Sequence, residues 1–383
     1  MRTEDAFGTQ SSVFMPQSLE VRGVLLVKPS SLGDVIHALP TAGALRRRFP
    51  AARLAWLVEE ESADVVRGTP AVDDIIVSGR RRWLRALAAG REGGRSLGEF
   101  RALLRALRAA RFDLVVDLQG LMKSALYVMA TRARVRVGLS TGREGSRLAC
   151  THVVQVPPGE HAVERYLRVA WALGAPPGPR DFPIAVPPEA AAAAERLLAE
   201  GRAALGARPA GAGGAPLAVL HPAARWETKW WSPEAFAAVG DRLVEAMGAA
   251  VAITGGGADV DAAEAVRGRM RRPALNLAGR TPLKALAALL ARAAVTVSVD
   301  SGPMHLAAAL GTPLVALFGP TDPSRTGPYG PGPRCVLQER LPCVPCLDRC
   351  CRVPQRRLCM RSLDPQRVAA EAMALARRPA SPS

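Results

Sequence analysis

The sequence predicts an α/β protein of two domains, and three observations support that fold class. Short apolar runs of buried-strand length alternate with stretches of helical spacing. The chain of 383 residues is too long for one ordinary core. Between about residues 183 and 216 the composition shifts to Ala, Pro and Gly, and a second alternating series follows. Such alternation is typical of parallel sheets covered by helices on both faces, so we expect two open α/β domains facing each other across a cleft.

The first domain is predicted at residues 21–185, after a flexible extension at residues 1–20. Its strands are predicted at residues 24–27, 54–58, 75–77, 114–116 and 135–138, and its clearest helices at residues 35–49 and 97–110. Residues 79–83, Gly-Arg-Arg-Arg-Trp, are predicted to form a basic loop with one aromatic side chain. The apolar runs therefore predict an open sheet of five strands in the first domain.

Two polar turns follow strands of this domain, KPSSLGD (28–34) and DLQGLMKS (117–124). They lie at the carboxyl ends of strands, where open α/β sheets bind their ligands. Gly33 permits close approach of the backbone to a ligand. Asp34 is therefore either a general base or a cap of the helix that follows it.

A second domain is predicted at residues 216–335, after an Ala/Pro/Gly-rich linker region at residues 186–215 that contains one helix. Its strands are predicted at residues 217–220, 251–254, 295–299 and 314–318. Gly255, Gly256 and Gly257 follow the second of these strands. They suit either a nucleotide passing over the strand end or a plain turn.

The clearest binding motif is the segment VSVDSGPMHLAAALGTPLVALFGPTDPSRTGPYG (297–330). It predicts a strand, a helix at residues 302–310 with Ser301 as N-cap, and a second strand. Gly302 and Pro303 open the helix, and a helix N-terminus directly after a strand binds phosphate through backbone N–H groups and a partial positive charge. Asp300 could then face a ligand hydroxyl and His305 a phosphate oxygen. An ordinary βαβ unit with a capped helix explains the pattern equally well.

The net charge of +17 is concentrated in the first domain. Residues 21–180 contain 26 Lys and Arg against 14 Asp and Glu, whereas residues 216–330 contain 11 against 9. A polyanion, whether nucleic acid, anionic lipid or phosphorylated glycan, should therefore meet the first domain. Apolar runs too short for a spanning helix and a polar start without a signal-peptide core predict a cytoplasmic protein.

Six of the seven cysteines are clustered between Cys335 and Cys359, in a segment at residues 336–383 that ends in a predicted helix. The spacing CxxC with two further thiolates makes Cys343, Cys346, Cys350 and Cys359 weak candidate ligands of a structural zinc ion. Reduced thiols packed under the chain terminus are the favoured alternative. Catalysis by cysteine has no support, because no His and Asp partners are visible for a thiolate.

Taken together, these segments resemble the ADP-heptose:lipopolysaccharide heptosyltransferases, glycosyltransferase family 9. The matching segments are VKPSSLGDVIHALP (27–40), LVEEES (57–62), VDLQGLMKSA (116–125), TGREGSRLA (141–149), HAVERY (161–166), ETKWW (227–231) and VSVDSGPMHLAAALGTPLVALFGPTDP (297–323). The Arg-Arg-Trp, QGLMKSA, REG and HAVER segments are most similar to heptosyltransferase I. The resemblance implies two Rossmann-like domains of the glycosyltransferase B type, with no cofactor or metal required.

The resemblance also implies a role for each matching residue. Asp34 corresponds to the general base of an inverting heptose transfer from ADP-heptose. The residues implied to bind the ADP-sugar donor are Gly255, Gly256, Lys229, Asp300, Ser301, Gly302, Pro303 and His305. Those implied to bind an anionic lipid-linked acceptor of the Kdo-lipid A type are Ser31, Gly33, Arg81, Arg82, Gln119, Lys123 and Arg143. Such an acceptor implies peripheral contact with the inner membrane from the cytoplasm and no nucleic-acid partner.

Three departures from the heptosyltransferase I pattern leave alternatives open, and one is that the spacing from His221 to Lys229 is one residue longer. Ala223 and Ala224 replace two hydroxyl residues after His221, and the cysteine-rich segment is similar to that of heptosyltransferase II-like members. The donor could be another nucleotide sugar, or the acceptor a later heptose. A basic nucleic-acid-binding protein would also explain the charge, but the sequence has no basic strip interleaved with aromatic residues.

Overall fold

The computed structural model describes residues 20–90, 93–204 and 215–377, and the chain divides into two compact units after Pro183. Each unit contains one six-stranded parallel sheet, so the prediction of two α/β domains is confirmed. The predicted extension at residues 1–20 lies outside the described residues except for Glu20. Within the described part of the chain, no helix is long and apolar enough to cross a bilayer.

Unit 1 is built on a sheet with strand order β3-β2-β1-β4-β5-β6. Its strands are β1 (Gly23–Val27), β2 (Arg53–Glu59), β3 (Asp74–Ser78), β4 (Leu114–Asp117), β5 (Val135–Leu139) and β6 (His152–Val154). Its helices are α1 (Leu32–His37), α2 (Leu39–Arg48), α3 (Ala63–Val66), α4 (Arg80–Ala88), α5 (Gly93–Ala109), α6 (Met122–Thr131) and α7 (Ala162–Ala172). Successive residues of the central strand β1, such as Leu25 and Leu26, are fully buried. Helices therefore cover both faces of this sheet.

Two helical segments of unit 1 differ from the prediction. The single helix predicted at residues 35–49 is divided into α1 and α2, because Pro40, in the first turn of α2, has no N–H to continue α1. Residues 80–83, predicted as a basic loop, form the start of α4. The buried Trp83 ring packs edge-on against Phe100 of α5 at a centroid distance of 5.9 Å. This tertiary contact stabilises a helix that the arginine run did not indicate.

Unit 2 is built on a sheet with strand order β12-β11-β10-β7-β8-β9. Its strands are β7 (Leu217–His221), β8 (Ala250–Ile253), β9 (Ala274–Asn276), β10 (Val295–Val299), β11 (Leu314–Phe318) and β12 (Arg334–Gln338). Its helices are α8 (Pro188–Ala204), α9 (Pro233–Met247), α10 (Val260–Arg267), α11 (Leu283–Arg292), α12 (Gly302–Ala309), α13 (Pro323–Thr326), α14 (Leu358–Arg361) and α15 (Pro365–Ala376). Helix α15 contacts α9, β10 and β11, so the end of the cysteine-rich segment belongs to this unit.

The sequence did not predict the edge strands β6, β9 and β12. Each has only one neighbour in its sheet, and the first two have only three residues, so their apolar pattern is weak. The predicted linker region at 186–215 also differs, because its helix α8 contacts α11 and β9 within unit 2. A Cβ atom at Gly201 would lie 2.8 Å from a Leu275 methyl, which shows how closely α8 approaches the sheet. Residues 205–214 of that region lie outside the described residues.

Candidate active site

The predicted general base Asp34 lies in the first turn of α1, at the carboxyl end of β1. Its Oδ2 accepts hydrogen bonds from the backbone N–H and hydroxyl of Ser31, at 3.2 and 2.8 Å. Its Oδ1 accepts one from the Tyr166 hydroxyl at 3.1 Å and lies 3.8 Å from the ammonium of Lys28. Asp34 therefore caps α1, and its side chain, 33% exposed, also remains accessible to a ligand.

The charges around Asp34 keep its carboxyl ionised. Burial raises the pKa of Asp34, but the Lys28 ammonium, His37 and the hydrogen bonds from Ser31 outweigh burial and hold the pKa well below its ordinary value. Burial lowers the pKa of Lys28, and its attraction to Asp34 and Tyr166 more than offsets that effect. Lys28 is only 2% exposed, so it is a buried cation whose main partner is the candidate base. The sequence did not single out Lys28 or Tyr166, although both lie in segments that carry the family resemblance.

A second group of charges surrounds the buried Glu59 at the end of β2. Its carboxylate accepts hydrogen bonds from Arg80 at 2.8 Å, Arg81 at 3.0 Å and Lys123 at 3.3 Å, and its side chain is 2% exposed. Burial raises the pKa of Glu59, but hydrogen bonding to Arg80 and the charges of all three cations leave it lowered. Arg81 also lies 3.9 Å from Glu61, so the three cations exceed the two carboxylates by one positive charge. The cluster can therefore attract an anionic ligand.

Lys123 connects the Glu59 cluster to the turn that precedes α1. Its ammonium donates to the Ser30 hydroxyl at 2.6 Å, and the Ser30 backbone N–H donates to the side-chain oxygen of Gln119 at 3.2 Å. The buried Asp117 holds the turn after β4 by accepting from the Gln119 and Gly120 backbone N–H groups. The structure therefore brings Gln119, Lys123 and Arg81 close to the turn that carries the predicted acceptor residues Ser31 and Gly33.

Arg82 and Arg143 lie outside the Glu59 cluster. Arg82 pairs with Glu60 and Glu99, both on the outer side of the unit. Arg143 is exposed, and its backbone N–H donates to the Gly120 carbonyl at 2.8 Å, which docks its loop beside the start of α6. The sequence does not show which carboxylate each arginine pairs with, so the prediction grouped Arg82 and Arg143 with Arg81.

In unit 2 the predicted donor residues converge on Asp300, at the end of β10. Its Oδ2 accepts hydrogen bonds from Lys229 at 2.6 Å and from the Thr321 hydroxyl at 2.6 Å. The Nε2 atom of His305 lies 3.9 Å from Oδ1. Asp300 is 6% exposed and holds Lys229 in place, and its contact with a ligand hydroxyl stays a prediction. The sequence did not indicate Thr321 as a partner of Asp300, because in this segment only the neighbouring Asp322 has the pattern of a helix cap.

The N-terminus of α12 lies directly after Asp300. Ser301 is the N-cap in an extended conformation, and within the described residues its side chain makes no capping hydrogen bond. Its hydroxyl lies 3.2 Å from that of Ser298. Gly302 and Met304 can offer N–H groups to an anion, whereas Pro303 only presets the helical backbone, because proline has no N–H. The phosphate site predicted here can therefore receive no hydrogen bond from Pro303, and the site itself stays a prediction.

The aromatic residues beside Lys229 have separate roles. The Trp226 ring lies 4.7 Å from the Lys229 ammonium and 5.2 Å from the Arg349 guanidinium, distances at which cations bind the face of a ring. Trp231 is buried and packs edge-on against Phe236. Trp226 therefore helps to orient Lys229, and Trp231 belongs to the core.

The triple-glycine turn after β8 is held by its own contacts. The Gly256 N–H donates to Asp259 at 2.8 Å, and the Gly255 carbonyl accepts from Gly279 at 3.0 Å. A Cβ atom at Gly255 would lie 2.7 Å from the Asp259 Cβ, which requires glycine there. Beside this turn, burial lowers the pKa of His221 to about 4, so that imidazole is neutral at pH 7.

The cysteine-rich segment encloses a cavity of about 150 Å³ in unit 2. Four thiols line it, those of Cys343, Cys346, Cys351 and Cys359. The predicted candidate Cys350 is exposed and does not line the cavity; of these two consecutive residues, only Cys351 faces inward. In the described parts of the chain, no three or more His, Cys, Asp or Glu side chains are grouped so that they could hold a metal ion. The predicted zinc ligand set is therefore not assembled.

Comparison with known proteins identifies the family. The model of glycosyltransferase family 9 (heptosyltransferase) matches residues 100–356. Lipopolysaccharide heptosyltransferase 1 of Pseudomonas aeruginosa is 35% identical over 92% of this chain and 98% of its own length. The chain belongs to glycosyltransferase family 9. The heptosyltransferase 1 of Escherichia coli K12 is another similar member of family 9, with 31% identity over 80% of this chain and 91% of its own.

Solved structures of family 9 proteins agree with this result. E. coli heptosyltransferase WaaC with ADP has a TM-score of 0.64 at 29% identity, covering 82% of this chain and 93% of that one. E. coli ADP-heptose LPS heptosyltransferase II has a TM-score of 0.70 at 24% identity, covering 92% and 98%. The predicted fold class, two Rossmann-like domains of the glycosyltransferase B type, is confirmed, as is the prediction that the chain is a glycosyltransferase of this family.

Proposed function

We propose that this protein transfers heptose, with inversion, from ADP-heptose to the Kdo region of the lipopolysaccharide inner core. The similarity to lipopolysaccharide heptosyltransferase 1 and to WaaC solved with ADP and with ADP-2-deoxy-2-fluoro heptose supports this donor and acceptor. The observation that carries the proposal is Asp34. It is an accessible carboxylate that Lys28 and Ser31 keep ionised at the end of β1, where open α/β sheets bind ligands.

In the proposed reaction Asp34 removes the proton from the acceptor hydroxyl while that oxygen attacks the anomeric carbon. A new bond forms between the hydroxyl oxygen and the anomeric carbon, and the bond from that carbon to the phosphate oxygen breaks. The pKa of Asp34 lies well below its ordinary value, so Asp34 is a weak base. Proton transfer must therefore come late, after the forming bond has made the hydroxyl acidic.

Lys229 and the N-terminus of α12 are proposed to bind the diphosphate of the donor. Lys229 is held at 2.6 Å from Asp300, so its ammonium is positioned before a ligand arrives. The amides of Gly302 and Met304 add the partial positive charge of the helix end. Negative charge grows on ADP as it leaves, and these groups stabilise it in the transition state. The proposal assigns this role to protein groups and includes no metal ion.

The Glu59 cluster is proposed to bind the anionic part of the acceptor. Arg81 and Lys123 share one buried carboxylate with Arg80, which leaves positive charge for a carboxylate or phosphate of the glycan. Ser31, Gly33 and Gln119 lie on the adjoining turns, and Arg82 and Arg143 lie farther out on the same unit. A lipid-linked acceptor would place the enzyme at the cytoplasmic face of the inner membrane.

The test is ADP release from ADP-heptose with and without Kdo-lipid A, for the parent protein and for Asp34→Asn. Asp64→Asn on α3, with a side chain 46% exposed, is the matched control. Acceptor-dependent release that Asp34→Asn abolishes, while ADP still binds, is the expected result. Release that needs a heptose-bearing acceptor instead would indicate a heptosyltransferase II-like function. A folded parent that neither binds an ADP-sugar nor releases ADP with either acceptor would refute the donor assignment.

A further inference from the structure

Helix α6 has an exposed apolar side that nothing in the described chain covers. It buries Tyr127 and Val128 in the core of unit 1. On its other side Met122, Leu126 and Met129, spaced i, i+4 and i+7, are 49, 48 and 61% exposed. A surface helix normally has polar residues on the side facing water. An apolar outer stripe therefore indicates a surface that is covered in some functional state.

The exposed apolar residues continue across neighbouring elements. Leu148, in the 3₁₀ helix Ser146–Ala149 beside α6, is 91% exposed. Leu84 and Leu87 of α4 are 50 and 52% exposed, and Leu97 of α5 is 45% exposed. Helices α4, α5, α6 and this 3₁₀ helix contact one another in series, and α5, α6 and the 3₁₀ helix contribute to the same core cluster. Their outer sides form one surface, which we call the α4–α6 surface.

Arginine side chains border these apolar residues. On α5, Arg101, Arg105 and Arg108 are exposed and have the same i, i+4, i+7 spacing. The other described arginines of α4 and α5 pair with carboxylates, Arg80 and Arg81 with Glu59, Arg82 with Glu60 and Glu99, Arg85 with Glu61 and Arg95 with Glu99, so the cationic stripe consists of Arg101, Arg105 and Arg108. The α4–α6 surface therefore combines a cationic stripe with an apolar stripe on adjacent helices, which is the pattern of a protein that lies on a membrane interface.

We propose that the α4–α6 surface docks on an anionic lipid bilayer. The leucine and methionine side chains enter the boundary between headgroups and acyl chains, and the arginines bind lipid phosphates. The exposed apolar residues of this surface are all Leu or Met. Aromatic side chains for stacking on bases, the usual means of binding single-stranded nucleic acid, are not among them. A bilayer accounts for both stripes, whereas a polyanion in water accounts only for the arginines.

Docking through this surface would also orient the enzyme, a point that rests on the proposed function. Arg81 lies on α4, Lys123 on α6, and Arg143 just before the 3₁₀ helix Ser146–Ala149. Two residues proposed to bind the acceptor thus lie on helices that meet the bilayer, and Arg143 lies next to a third element of that surface. An acceptor anchored in lipid would then reach the Glu59 cluster without leaving the membrane.

The test is sedimentation of the full chain with vesicles containing phosphatidylglycerol, compared with pure phosphatidylcholine vesicles. The parent should bind the anionic vesicles and lose binding as salt increases. Arg105→Glu should weaken binding about 25-fold, because each charge near the surface contributes about fivefold. Leu126→Ser with Met129→Ser should weaken it about tenfold.

Matched controls lie in unit 2. Arg242→Glu on α9 changes an exposed arginine. Val260→Ser with Val336→Ser changes two apolar residues that are 40 and 38% exposed. These variants should bind vesicles as the parent does. Circular dichroism confirms that each variant is folded.

Three results would overturn the proposal. The parent could fail to bind anionic vesicles, the surface variants could bind as the controls do, or the serine variant could bind unchanged while duplex DNA displaces the parent. The last result would show a general polyanion site. The vesicle assay contains no donor or acceptor, so its outcome is independent of the proposed reaction. Turnover of a soluble acceptor without acyl chains should be unchanged in Leu126→Ser with Met129→Ser.

Discussion

Replacing Lys28 with methionine tests directly how the structure controls the candidate base. Lys28→Met keeps an unbranched side chain at a position that is 2% exposed and removes the charge and the N–H donors of the ammonium. The ammonium lies 3.8 Å from Asp34, and its attraction is a main reason that the pKa of this carboxyl is lowered. Without Lys28, burial of Asp34 is less strongly opposed, so its pKa should rise. The enzyme should then lose its ionised base at a higher pH.

The expected rise in the pKa of Asp34 follows from the distance between its carboxylate and the Lys28 ammonium. Two unit charges 3.8 Å apart attract by about 4 kcal/mol at the effective dielectric constant of about 20 typical near a protein surface, and by about 1 kcal/mol in bulk water. Asp34 is 33% exposed, so the value lies between these limits. Because one pH unit corresponds to about 1.4 kcal/mol, the acidic limb of the rate profile should move upward by about one to three pH units.

The assay is kcat/KM for acceptor-dependent ADP release between acidic and neutral pH. Lys284→Met in unit 2, where the ammonium donates to the Ala185 carbonyl, is the control for loss of a lysine. Thermal unfolding shows whether Lys28→Met remains folded over the range. An acidic limb that stays in place, or moves downward, in a folded Lys28→Met protein would refute the role assigned to this ion pair. A uniform loss of activity at every pH would equally count against it.

Three further predictions concern unit 2. Lys229→Met should weaken ADP binding about 10- to 100-fold, because one hydrogen bond to a charged group contributes about 1.5–3 kcal/mol. Calorimetry measures this affinity, and an unchanged affinity for ADP would exclude Lys229 from the phosphate site. Burial lowers the pKa of His221 to about 4, below its unfolded value of about 6.5. The stability from the neutral ring is therefore complete above pH 6.5 and is lost as the pH falls to 4. Between pH 4 and 6.5 the free energy of unfolding, measured with urea, should therefore change by about 3 kcal/mol less in His221→Gln than in the parent. An equal change in the two proteins would contradict this prediction. Gly330→Ala would place a Cβ atom 1.8 Å from the Ala308 carbonyl oxygen, whereas a Cβ atom at Gly257 would have nothing within 4 Å. Gly330→Ala should therefore lower the free energy of unfolding by more than about 3 kcal/mol. A melting temperature equal to that of the control Gly257→Ala would show that the loop relaxes freely.

Local patterns were sufficient to predict the two sheets and the strand ends that carry the candidate site residues. A run such as Gly23–Val27 is apolar at every position because both faces of its strand are buried, so it predicts a central parallel strand without further information. Ser301, Gly302 and Pro303 mark a helix start by the chemistry of capping alone, and the structure places α12 there. Asp34 was found for the same reason, as a polar residue at the junction of a strand and a helix.

Only the tertiary structure decided which charges meet. Glu59 pairs with Arg80, Arg81 and Lys123, and Lys229 pairs with Asp300, 71 residues away along the chain. Such partners depend on the order of strands in a sheet and on the crossover helices between them. Periodicity in the sequence records which residues are buried, but it does not record which distant residue each one faces.

The same limit explains the elements that the sequence did not predict. Helix α4 is built from an arginine run and forms because Trp83 packs on Phe100. Strand β9 has only three residues, too few for a clear apolar pattern, and it is defined by its pairing with β8. Cys351, rather than Cys350, lines the thiol cavity because the fold of that segment turns one of two adjacent residues inward. The sequence by itself determined the fold class, the family and the strand ends that carry the site. The pairing of its charges, and the side of unit 1 left apolar, came from packing, because both depend on contacts between residues far apart in the chain.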